Sequence, residues 1–410
     1  MRKSAGFVTV LVWLSLAAPA VAQSGADNWT RCKSADPATS IAGCSAVIEA
    51  HGTDRKRLAV AFHNRAVAYF GKGLVARTVA DLDRAVELNP AYAQAFNARG
   101  IAYGSQRSYD RAIQDFDRAI QLDPNYADAF HNRGFAYYKK GAPERAIQDY
   151  DRAIALNPRN AETYINRGNA YGDTKRDDLA LQDYERAISL KPTSSKGYDN
   201  RGNVYERQGL HDRAIVEYDR ALELDPRDAF AYLNRGVANT KKGLYDRAIP
   251  DYDRAIALDP AFFLAYLNRG TTFDHQGRYD QAIADYDRAI TLDPTSATAF
   301  NNRCWTRVML NQPTAALADC DRSLALRPND GATLDSRGFA YLRANQAAAA
   351  AQDFNAALAI DPKRASSRYG LGLAKRLTGD TAGGDADIAS AELLEPGIAA
   401  EFARYGFTAR

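Results

Sequence analysis

ADAFHNRGFAYYKKGAPERAIQDYDRAIALNPRN, residues 127 to 160, is the stretch from which the fold can be read. Phe130, Gly134 and Tyr137 are spaced four and three apart, so they share one stripe of a helix with 3.6 residues per turn. Ala146, Tyr150 and Ala153 repeat that spacing and make a second stripe. Gly141 lies between the two, where a glycine in the left-handed conformation closes a first helix, and Pro158 stops the second. The stretch is therefore an amphipathic helical hairpin.

Working outward, the same 34-residue pattern recurs. Pro90, Pro124, Pro158, Pro192, Pro226, Pro260, Pro294, Pro328, Pro362 and Pro396 form a comb with one tooth every 34 residues. Repeats aligned on it begin at Ala59, Ala93, Ala127, Ala161, Ser195, Ala229, Phe263, Ala297, Gly331 and Ala365. Position 4 of the repeat is aromatic from Phe62 to Phe300, position 8 is mostly Gly, and position 11 is usually Tyr. Positions 20, 24 and 27 are small, large and Ala. Gly73, Gly141, Gly209, Gly243 and Gly277 mark the turns. Most tyrosines fall in positions 4, 11 and 24, so they are expected in the core and not on a base-stacking surface.

This period and these columns resemble tetratricopeptide repeat proteins. The resemblance implies an all-α fold: a right-handed α-solenoid of about nine to ten 34-residue hairpins with terminal caps and a concave groove. The expected domains are a signal peptide over 1–22, an N-terminal cap segment over 23–58, the array over 59–396, and a C-terminal capping helix over 397–410. The repeat at Ala297 is irregular, and in the last one Arg368, Lys375 and Gly384 replace core residues. Ile398, Phe402 and Tyr405 recur at i, i+4 and i+7, the spacing of a short helix expected to cover the open end of the stack.

Position 6 carries Asn64, Asn132, Asn166, Asn200, Asn234, Asn268 and Asn302. It is rotated about 200° from position 4, away from the core stripe and on the side of positions 2, 9 and 13. An amide side chain offers donors and an acceptor, so the column is a candidate ladder for an extended peptide backbone. It resembles asparagine ladders of family members that hold extended peptides. The alternative is that each amide bonds to a neighbouring helix or to water. Groove specificity is assigned to positions 2, 5, 9, 12 and 13, including Tyr138, Lys139, Asn169, Asn203, Glu206, Lys241, Asp274 and His275. No three successive repeats carry the Lys, Asn, Asn, Lys and Arg of the family's carboxylate clamp.

Position 7 is Arg in nine repeats, where the common consensus has Leu, and position 23 is an acid in the same nine, for instance Arg133 and Asp149. These columns predict arginine–carboxylate pairs between packed helices that fix register. The second acid of each Asp-Tyr-Asp-Arg string sits on a different helix face from the first, so the strings are not metal sites.

Arg2 and Lys3, the apolar run from Phe7 to Ala18, and Ala20-Val21-Ala22 read as a cleavable export signal. Export into an oxidising compartment favours a disulfide between Cys32 and Cys44 in the cap. Cys304 and Cys320, at positions 8 and 24, either bridge one hairpin or fill core columns as two thiols. The chain has 53 Lys+Arg against 50 Asp+Glu, a near balance that gives little attraction to nucleic acid or anionic lipid. Its five histidines never pair at i, i+4, and no Cys-x-x-Cys or phosphate-loop pattern occurs, so neither metal nor other cofactor is expected. No acid, base and nucleophile converge by spacing.

The function expected is a non-enzymatic, exported interaction scaffold of the periplasm or extracellular space, bacterial on resemblance alone. It binds an extended peptide segment of a partner protein and inserts into no membrane after signal cleavage. A structural assembly subunit acting through its convex face or by self-association is the alternative.

Overall fold

The computed structural model describes residues 27–50 and 54–408, and every regular element among them is a helix. The expected signal segment and its cleavage site lie outside the described residues. Two compact units divide the chain at Pro192 and Thr193.

The first unit opens with α1 over residues 27–32 and α2 (Pro37–Glu49), joined by the Cys32–Cys44 disulfide with a Cα separation of 4.3 Å. α3 (Arg55–Gly71) and α4 (Val75–Leu88) make the first hairpin. Three more follow: Ala93–Ser105 with Tyr109–Leu122, Ala127–Lys139 with Pro143–Leu156, and Ala161–Asp173 with Asp177–Leu190. The second unit stacks six hairpins, from Ser195–Arg207 with His211–Leu224 to Ala365–Leu377 with Thr381–Leu394, and ends in a helix over Ile398–Arg404.

The comb proline stands two residues past each second helix, as Pro90 does after Leu88 and Asn89. At the turn inside the hairpin the five expected glycines have φ between 70° and 76°. Arg107, Lys175, Asn311 and Asn345 hold the same left-handed backbone without glycine, at φ of 55° to 59°. The turn geometry is imposed by the packing of the two helices, and the repeats of Arg107 and Lys175 carry its strain, roughly 1–2 kcal/mol each.

Position 8 brings the two helices of a hairpin into contact. A Cβ on Gly236 would lie 2.7 Å from the ring of Tyr252, and Gly100, Gly134, Gly168, Gly202, Gly270 and Gly338 stand just as close to their own position-24 rings. The repeat at Ala297 uses a covalent link there instead. Its Cys304 and Cys320 are disulfide-bonded, 5.5 Å apart at Cα. Position-24 tyrosines are buried completely, whereas position-11 tyrosines are only half-buried. The outer edges of those position-11 rings meet arginines, such as Arg111 over Tyr103 at 5.7 Å and Arg145 over Tyr137 at 5.6 Å.

The nine predicted arginine–acid pairs all form within a hairpin, eight of them as forks through Nε and one Nη at 2.5 to 3.2 Å, whereas a single Nη of Arg201 meets both oxygens of Glu217 at 2.9 Å. Seven of the nine arginines have a further reach that the sequence analysis did not assign. The remaining Nη of Arg99 bonds Asp83 in the preceding repeat at 2.7 Å, that of Arg133 bonds Asp117 at 2.6 Å, and that of Arg235 bonds Asp219 at 2.7 Å. Arg167, Arg269, Arg303 and Arg337 repeat the arrangement with Asp151, Asp253, Asp287 and Asp321. The two acids of the Asp-x-Asp string thus serve two different repeats.

Two stability predictions follow from these contacts. Gly236→Ala should lower unfolding free energy by about 1–3 kcal/mol through overpacking against Tyr252, read from urea denaturation; unchanged stability would contradict the close approach. Arg235→Ala strands the buried Asp251 and should cost about 3–5 kcal/mol, whereas Arg235→Met combined with Asp251→Leu should cost far less. Equal losses in the single and double variants would contradict a register role for the fork.

Candidate peptide-binding face

All seven position-6 asparagines sit half-buried on the first helices of their hairpins. In the first unit Asn132 Nδ2 donates to Asn97 Oδ1 of the preceding repeat at 3.0 Å, and Asn97 Nδ2 donates onward to the Tyr126 hydroxyl at 3.3 Å. Asn64 lies against His63 Nδ1 at 3.3 Å. Asn166 holds the same register. In the second unit Asn234 Nδ2 donates to Asn203 Oδ1 at 3.0 Å, and Asn302 Nδ2 donates to Thr271 Oγ1 at 3.3 Å. Asn268 Nδ2 turns back to the Leu264 carbonyl of its own helix at 2.8 Å. Asn200 shares the position and the half-burial. The column is therefore partly tied between neighbouring first helices: an amide proton of Asn132, Asn234 and Asn302 is directed to the repeat before.

The polar positions beside the column are also engaged. Asn203 Oδ1 accepts from the Tyr218 hydroxyl at 2.8 Å and Asn169 Oδ1 from Tyr184 at 2.7 Å. Glu206 faces His211 Nδ1 and Lys241 Nζ, both at 2.8 Å. Burial and the bond to Asp173 push the Tyr138 phenol up to about 12. Asp199, beside Asn234 and Asn203, is pushed up to about 6 by burial. His275 stacks on Tyr245 with ring centroids 5.6 Å apart.

Sequence reasoning looked for polar specificity residues and passed over apolar ones on the same face. Val67, Ile101 and Phe135, all at position 9, are 53, 37 and 41% exposed, and Phe230 at position 2 is 61% exposed. The available signal was a large apolar side chain at a position that helical phase turns away from the core.

At the end of the second unit the same face is covered. A seven-residue helix forms over Ile398–Arg404, and it lies on the first helices of the last repeats. Phe402 stacks on Phe339 at 4.7 Å and meets Tyr369 at 5.3 Å and Trp305 at 6.3 Å. The Tyr369 hydroxyl donates to the Phe407 carbonyl at 3.1 Å, and Arg343 donates to the Tyr405 carbonyl. The position-9 rings Trp305 and Phe339 supply the apolar surface, so the terminal helix buries its stripe there and leaves Leu377 and Leu393 of the last hairpin exposed.

Sequence profiles described as TPR repeat match residues 105–141, and others described as tetratricopeptide repeat match 127–160, 161–194, 200–261, 241–297 and 267–331. The chain belongs to the tetratricopeptide repeat family. No curated protein matches it significantly. Among solved structures, YrrB, described as a TPR protein with an unusual peptide-binding site, is 24% identical over 46% of this chain and 97% of its own, with a TM-score of 0.40. MamA is 28% identical over 39% of this chain and 94% of its own, with a TM-score of 0.37. A chain of the APC/C hetero-tetramer Cut9–Hcn1 is 14% identical, covers 91% of this chain and 93% of its own, and has a TM-score of 0.50. Helical repeat proteins of this family form protein–protein interaction scaffolds. Among the described residues no helix is long and apolar enough to cross a membrane, and no group of three His, Cys, Asp or Glu is placed to hold a metal ion.

Proposed function

We propose that the chain is an exported, non-enzymatic scaffold that holds an extended segment of a partner protein along the asparagine-bearing face of its first helices. The observation that carries this reading is the column itself: seven asparagines, one per repeat, half-buried and away from the core. Each has two amide protons and a carbonyl oxygen; in Asn132, Asn234 and Asn302 the proton tied to the repeat before orients the side chain while its other groups would meet a peptide backbone. Exposed apolar side chains flank the column in each unit, Val67, Ile101 and Phe135 in the first and Phe230 in the second, and would take side chains of a segment held there. Weak contacts repeated along the array add up to a useful affinity. The two disulfides and the signal-like first 22 residues support an oxidising compartment, the periplasm or beyond. A role in assembly by self-association has its own support in Leu377 and Leu393, 64 and 87% exposed on the last hairpin.

Affinity capture from a bacterial envelope extract separates the two. The bait is residues 23–410, beside the same chain with Asn166, Asn200, Asn234 and Asn268 changed to Ala. The variant should lose its partner by roughly tenfold or more while helix content is unchanged and melting falls only modestly, since neutral hydrogen bonds of half-buried side chains contribute about 1 kcal/mol each. Equal retention by both baits would reject the asparagine face and favour assembly.

A further inference from the structure

The terminal helix does not seal against the first helices along its whole length. Between it and the repeats at Phe263, Ala297 and Gly331 lies a cavity of about 570 Å³. Its walls combine two chemistries. Trp305, Tyr279, Phe402 and Tyr405 supply aromatic surface, and Asp274, Asp335 and Glu401 supply carboxylates.

The two aspartates contrast with the nine position-23 acids from Asp81 to Asp353, each of which meets an arginine. Asp274 instead accepts from the Tyr286 hydroxyl at 2.6 Å and from Thr306 Oγ1 at 2.8 Å, and Asp335 accepts from Ser366 Oγ at 3.0 Å and Ser367 Oγ at 2.5 Å. Those partners are all neutral hydroxyls. Of the basic residues of the lining, His275 is stacked on Tyr245, and Arg364, 3.8 Å from Asp361, also acts electrostatically on Asp335; the lining still sets four carboxylates, Asp274, Asp335, Glu395 and Glu401, against that one arginine. Another acceptor, the buried Asn301 Oδ1, has no hydrogen-bond donor at all. The hydroxyl donors of the wall are spent on the aspartates while acceptors remain, so the complementary guest is a cation rich in N–H groups. Aromatic rings on the opposite wall favour the same guest, through the attraction of a cation for a ring face.

We propose that this cavity binds an alkylammonium or guanidinium group, with Asp274, Asp335 and Glu401 as counter-charges and the stem of the ligand lying against Trp305 and Tyr405. The group arrives either as a lysine or arginine side chain of a protein segment or as a free amine. The site rests on the cavity and its charges; of the asparagine column Asn302 alone is in its lining. Burial pushes both aspartates up to about 6, so cation binding strengthens as pH rises through that value and the carboxylates ionise.

Titration calorimetry on residues 23–410 at low salt and near-neutral pH tests it, with N-acetyl-lysine amide, cadaverine and the uncharged N-acetyl-norleucine amide as probes. The charged probes should bind and the norleucine probe should be at least roughly tenfold weaker. Tighter binding of the lysine amide assigns the natural guest to a protein side chain, and tighter binding of cadaverine assigns it to a free amine. Asp274→Asn with Asp335→Asn keeps the shape and hydroxyl contacts and should lose roughly tenfold or more in affinity for the charged probes, with circular dichroism unchanged. The four-asparagine variant leaves this lining intact and should bind the probes normally. No binding of either charged probe at about 10 mM, equal binding of the norleucine probe, undiminished binding by the double aspartate variant, or loss of binding in the four-asparagine variant would each overturn the proposal.

Discussion

The array depends on a guanidinium placed, in seven of its repeats, between two carboxylates. In Arg133 the Nε and one Nη grip Asp149 in its own hairpin, while the other Nη reaches Asp117 in the hairpin before. A planar fork satisfies both in one geometry, which a flexible ammonium would not. The position-23 acids keep only 5 to 12% of their side-chain surface exposed, and the arginines 14 to 23%. Burial pushes Asp149, Asp183, Asp251 and Asp285 above the usual carboxylate range despite the fork. Such a pair adds little net stability beside an apolar isostere, but one wrongly registered hairpin would leave a buried carboxylate uncompensated. The fork therefore selects a stacking register more than it strengthens one. Its outward arm, on an acid about half exposed, contributes less by itself and matters as the link between successive hairpins.

Register in turn sets the face. Once each first helix is locked to its own second helix and to the hairpin before, positions 2, 6, 9 and 13 recur at the same height in every repeat of a unit. The asparagines then come close enough to bond from one repeat to the next, as Asn234 does with Asn203. The chain also uses this face itself. Its terminal helix lays Phe402 on Phe339 and Trp305, and the opening left behind is the acidic, aromatic cavity.

Much of this was legible in the sequence, because a 34-residue comb samples each position up to ten times. Helical phase gave the two stripes, the turn glycines and the fork within a hairpin. What it missed are contacts that no single helix contains. The spacing assigned Asp117 no partner because it describes one helix, while its arginine belongs to the next repeat. The i, i+4, i+7 pattern of Ile398, Phe402 and Tyr405 announced an apolar stripe without saying which surface would cover it; the rings at position 9 decided that. Arg107 and Lys175 adopt the turn conformation because packing demands it, which no propensity argument would supply, whereas Asn311 and Asn345 are residues that enter it readily. Asparagine recurrence could be read, but the bond from Asn132 to Asn97 depends on the distance between hairpins.

The most direct measurement is hydrogen–deuterium exchange of the chain with and without its captured partner. If the first helices hold the ligand, exchange should slow in their segments, such as 195–207 and 229–241, and remain as in the free chain in the second helices 211–224 and 245–258. Protection confined to the second helices or to the last hairpin would contradict a binding face built on the asparagine column.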